Sequence, residues 1–108
     1  MTNDAEKALI IIYCQYKKRL SLGTNEEDAI YFENAKLQNI DSFSDWGSGK
    51  LNLSLQELKK LGYIFMNIWD DVTLLPSGIA FMQSKTKQYF SSFVGIIKNL
   101  SDILALFL

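Results

Sequence analysis

The run at residues 55–83, LQELKKLGYIFMNIWDDVTLLPSGIAFMQ, decides the fold reading. Leu51, Leu55, Leu58 and Leu61 recur at three- and four-residue spacing, and Gly62 follows them. That spacing predicts a helix over residues 51–61, starting somewhere between Asp45 and Lys50 and stopped by the glycine. Residues 63–69 are β-branched and aromatic and predict a strand. Asp70-Asp71 predicts a tight turn, and residues 72–75 a strand that pairs back. Pro76 suits the first turn of a new helix, where its missing N–H would be unpaired in any case. Ile79, Met82, Thr86, Tyr89 and Phe93 then share a helical face.

Upstream, a helix is expected from Asn3 or Asp4 to Leu20. Ala5, Leu9, Ile12, Tyr13, Tyr16 and Leu20 fall on one side at the helical period, as in a core-facing helix. Ile10, Ile11 and Cys14 fall on the other side, among Lys7, Lys17 and Lys18, and form a second apolar patch. Lys17-Lys18-Arg19 places cations in the last turn, where they complement the helix dipole. Gly23 suits a left-handed cap. Thr24 with Glu27 reads as a capping box opening a second helix over residues 25–35. The apolar pattern there is irregular, and a strand over residues 29–32 is the alternative. Residues 41–45 are rich in turn formers. Trp46 is assigned to core packing, with a contact hot spot as the alternative, and Met66 and Met82 to core packing.

Downstream, Ser91-Ser92 and Gly95 suggest a break. Phe93, Ile97, Leu100, Leu104 and Phe107 then line one side of a last helix, widened by Ile96 and Ile103. So apolar a helix needs a partner. Its polar strip has one lysine, too few for a membrane-surface helix. No stretch reaches the roughly 20 apolar residues of a membrane span.

Composition narrows the chemistry. A chain of 108 residues with 48% hydrophobic content supports one ordered core. Histidine is absent and Cys14 is the sole cysteine. A structural zinc site, an internal disulfide and a Ser-His-Asp or Cys-His catalytic pair are therefore ruled out. The expectation is a protein that is not an enzyme and carries no cofactor or metal. The polar, acidic start is unlike a secretory leader, so the cytoplasm is the expected compartment. Formal net charge is −1, which gives no compositional support for phosphate binding.

Across residues 51–83 the chain resembles the small winged-helix proteins of Gram-positive bacteria and their phages. LQELKKLGYI resembles the end of a recognition helix entering the wing, and TLLPSGIAFMQ resembles the return strand running into the next helix. Leu75-Pro76 stands where that family usually has Thr or Ser as a cap. The segment between the capping box and the leucine-striped helix is about ten residues longer than a minimal helix-turn-helix. The resemblance implies a mainly α fold with a small β-hairpin: a winged helix-turn-helix domain over residues 1–92, followed by an apolar dimerisation helix over residues 93–108.

Two functions follow from that fold. One is DNA binding by a small dimeric transcriptional regulator, with Asn52, Gln56, Lys59 and Lys60 facing the duplex. Its homodimer would be held by Ile10, Ile11, Cys14, Phe93, Ile97, Leu100, Leu104 and Phe107, pairing two recognition helices; the alternative is that the last helix folds back over its own domain. The other is a winged-helix module that binds protein and not DNA. The acidic Asp70-Asp71 turn beside Trp69 favours the second, and the α-helical Asn/Gln/Lys face favours the first.

Overall fold

The structure, a computed structural model, describes residues 1–85 and 96–97. Those residues form a mainly helical fold with a small three-stranded antiparallel sheet. The order is α1 (Asn3–Ser21), α2 (Glu26–Ala29), β1 (Tyr31–Phe32), α3 (Asn34–Leu37), a 3₁₀ turn (Asp41–Phe43), α4 (Ser48–Lys60), β2 (Ile64–Met66), β3 (Val72–Leu74) and α5 (Pro76–Lys85).

Helix α1 is the centre of the core, packed by α2, α4 and α5. The Thr2 hydroxyl caps it by accepting from the Ala5 N–H at 3.3 Å. Both of its apolar sides are used. Leu9, Ile12, Tyr13 and Tyr16 are buried, and so are Ile10, Ile11 and Cys14. The second patch is thus interior, because the chain covers α1 from more than one direction. Ile97 joins the same buried cluster.

Between α1 and α4 the structure departs from the expected long helix. Asn25, one residue after Thr24, is the cap: its Oδ1 accepts from the Asp28 N–H at 2.9 Å. The helix it opens ends at Ala29, and Tyr31–Phe32 becomes strand β1. The competing strand reading wins because β3 offers that backbone partners. Tyr31 pairs with Thr73 and Phe32 with Val72, and the Leu74 N–H donates to the Ile30 carbonyl at 2.9 Å. The additional residues before α4 are filled by β1, α3 and the 3₁₀ turn.

Helix α4 starts at Ser48, inside the expected window, and buries Leu51, Leu55 and Leu58. Leu61 falls past the helix end and is exposed, contrary to its place in the stripe. Gly62 takes φ +80°, the left-handed region that glycine enters without Cβ strain. Strands β2 and β3 then pair in register Ile64↔Leu74, Phe65↔Thr73, Met66↔Val72, giving sheet order β1-β3-β2. The hairpin turn is longer than Asp70-Asp71, since residues 67–71 lie between the strands.

Helix α5 begins at Pro76 as the proline predicts. It sits tightly on the end of the hairpin. A Cβ built on Gly78 would lie 2.5 Å from the Tyr63 carbonyl oxygen, closer than any real Cβ approaches. Ser77 Oγ donates to the Gly62 carbonyl, and the Tyr63 and Phe81 rings stack with centroids 4.9 Å apart. No helix of the described residues is long and apolar enough to cross a membrane.

Candidate functional site

Two surfaces present polar, charged or aromatic side chains to solvent, and both follow from how an element divides its residues between core and solvent. On α4, an advance of about 100° per residue separates the leucine stripe from an outer arc. That arc holds Lys59, Asn52, Gln56, Lys60 and Leu53 in angular order. Asn52, Lys59 and Lys60 are exposed, Gln56 is half-buried, and Leu53 is 72% exposed. The four residues expected at a DNA interface therefore share one side of one helix. No described residue forms an ion pair with Lys59 or Lys60.

The neighbouring flank of α4 is occupied by the start of the chain. Glu57 accepts from the Thr2 N–H at 2.7 Å and from the Thr2 hydroxyl at 3.0 Å. Lys50 lies 3.7 Å from Asp4 and 4.2 Å above the Trp46 ring. Trp46 itself is half-buried, edge-on to Phe43 at 5.1 Å. Lys50 and Glu57 thus have internal partners, and the outer arc of α4 is left with the amides, two lysines and Leu53.

Arg19 is also committed internally. Its guanidinium donates to the Tyr31 carbonyl at 2.6 Å and, more weakly, to the Asp28 and Ala29 carbonyls, while lying 4.1 Å over the Phe32 ring. Partial burial lowers its pKa. It clamps β1 to the end of α1, a role its position in a terminal basic run conceals.

The second surface is the outer side of the sheet and the hairpin tip. Alternation buries Ile64, Met66, Val72, Leu74 and Phe32 and turns Phe65, Thr73 and Tyr31 outward. The register sets these three side by side across the strands. At the tip, Ile68 is 86% and Trp69 71% exposed. The loop beneath them is held by Asn67, whose Oδ1 accepts from the Trp69 N–H at 2.9 Å and the Asp71 N–H at 3.0 Å. Asp70 takes φ +61°, a conformation that Asp tolerates better than most residues.

Asp71 is not a free charge at the tip. Its carboxylate accepts from the Tyr31 hydroxyl, from the Asn34 N–H at 2.8 Å and from Asn67 Nδ2 at 3.3 Å. The Tyr31 hydrogen bond first, then that of Asn34, lowers the Asp71 pKa, and the same contact with Asp71 raises that of Tyr31. Asn34 Nδ2 also donates to the Asp70 carbonyl at 3.2 Å. The acidic turn is therefore a tie between the hairpin and the β1–α3 junction. Sequence reading missed this tie, which joins residues some forty positions apart.

Of the residues expected at a dimer interface, Ile10, Ile11, Cys14 and Ile97 are buried within the single chain and offer no free area to a second copy in this arrangement. Phe93, Leu100, Leu104 and Phe107 lie outside the described residues. No group of three or more potential metal-ligating His, Cys, Asp or Glu side chains occurs among the described residues. Comparison with protein-family models, curated proteins and solved structures finds no match to this chain.

Proposed function

We propose that the chain is a winged-helix domain that binds duplex DNA through the outer arc of α4, as a small regulator of transcription. Support for the fold comes from the sheet order β1-β3-β2, with α4 leading directly into the β2–β3 hairpin as a recognition helix leads into a wing. The observation that carries the function is the shared exposed side of Asn52, Gln56, Lys59 and Lys60. Amide side chains there can form paired hydrogen bonds with adenine edges, and the lysines can neutralise phosphates. In this reading the homodimer rests on the remaining apolar residues Phe93, Leu100, Leu104 and Phe107, since the α1 patch and Ile97 are spent inside the core.

The test is fluorescence anisotropy of a labelled mixed-sequence duplex, titrated at several salt concentrations. Lys59→Glu with Lys60→Glu is expected to weaken binding and to flatten the plot of log affinity against log salt by about two. Unchanged binding and slope reject the assigned face. Sedimentation equilibrium of the free protein tests the homodimer, and a stable monomer at micromolar concentration removes it.

A second reading, a winged-helix module that binds protein and not DNA, is favoured by one specific observation. From Leu61 to Ser84 the chain carries no lysine or arginine, so the hairpin brings no cation to a phosphate backbone. Absence of any salt-dependent duplex binding by the wild-type protein would select this reading.

A further inference from the structure

We propose that the outer sheet face and hairpin tip dock a segment of another protein that carries arginine beside apolar side chains. The surface is apolar at its centre. Tyr31 and Phe65, 40% and 55% exposed, flank Thr73, with Ile68 and Trp69 at the tip of the same hairpin. So many exposed large side chains on one small element mark a contact surface more than ordinary solvent-facing positions do.

Charge names the occupant. Asp70 lies in the hairpin turn beside the already hydrogen-bonded Asp71, and Glu27 and Asp28 line the concavity that contains Tyr31, together with Glu33, which is paired with Lys36. The two cations of that concavity are already engaged: Arg19 on backbone carbonyls and Phe32, and Lys36 with Glu33 at 3.7 Å. A phosphate backbone would be repelled here, whereas a guanidinium would meet both ring faces and carboxylates. Arg19 displays that combination inside the molecule, with a ring below it and oxygen acceptors around it. The outer face offers the same two features, and no cation of the described residues lies over Tyr31, Phe65 or Trp69.

This inference is independent of DNA binding by α4, and the experiment keeps the two apart. The full chain, labelled with ¹⁵N, is titrated with a synthetic peptide of alternating Arg and Leu, with its Glu-and-Leu counterpart, and with a DNA duplex. Saturable shifts at Tyr31, Phe65, Trp69 and Asp70 with the arginine peptide alone are the expected result. Phe65→Ser with Trp69→Ser should weaken that binding by roughly tenfold or more. Both positions are exposed, so thermal melts should show the fold retained. Glu27→Lys with Asp70→Asn should weaken binding comparably, whereas Lys59→Glu with Lys60→Glu should leave it unchanged. The proposal is overturned if the arginine peptide gives no saturable shifts, if the glutamate peptide binds as well, if the duplex shifts these same residues, or if the Ser variants bind normally.

Discussion

The outer arc of α4 and the outer face of the sheet are built on one core yet have opposite chemistry. The first presents two amides and two lysines, without an ion-pair partner among the described residues, around one exposed leucine. The second presents aromatic rings with carboxylates near them and no basic residue of its own hairpin. A net charge of −1 conceals this separation, because it averages a basic helix face with an acidic sheet face. The lesson is that partner chemistry has to be read surface by surface. One domain can suit two partners of unlike charge.

The comparison can be broken most severely by removing what both faces stand on. Leu58 is fully buried on the inner side of α4. Leu58→Ala should cost about 2–5 kcal/mol of unfolding free energy by denaturant titration, and should impair both surfaces together. Loss from one face alone would mean that they are not supported by a common core. Gly78→Ala should cost about 1–3 kcal/mol, because the new methyl must push α5 off the Tyr63 carbonyl, a backbone atom that cannot turn aside. Its amide shift changes should concentrate on the hairpin and α5 and leave the start of α4 little altered. An unchanged melting temperature would contradict the close approach of α5.

The smallest effect expected sharpens the sheet side only. The folded-state pKa of Asp71 is lowered, so its tie stabilises the fold fully above the unfolded carboxyl value, near 3.9, and weakens as pH falls through the folded value. Asp71→Asn should therefore lower the melting temperature slightly at neutral pH, with the gap to wild type closing as the medium becomes more acidic than about pH 4. A gap that widens in acid would contradict the assigned hydrogen bonds. The proposed binding of duplex DNA by α4 should be untouched.

Much of this architecture was legible in local pattern. The leucine stripe, Gly62 and Pro76 each encode their structure within a few residues, and the elements they predict are present. The exposed side of α4 was legible for the same reason, as the complement of the stripe. What escaped depended on distant partners. Strand β1 exists through pairing with β3, forty residues away, so local pattern could offer it only as the alternative to a helix. The carboxylate of Asp71 looked like a solvent charge because Tyr31 and Asn34 are remote in sequence. Ile10, Ile11 and Cys14 looked like an interface because a helix wheel cannot say how many sides of a helix the rest of the chain will cover.

The covering of both apolar sides of α1 gives the molecule an internal reporter. Its single thiol, on Cys14, has no solvent-accessible surface in the folded chain. A reagent that modifies cysteine can reach it only when the helix bundle opens around α1. The rate at which the thiol is modified, as denaturant is raised from zero, would time that opening in the unaltered protein without any engineered label.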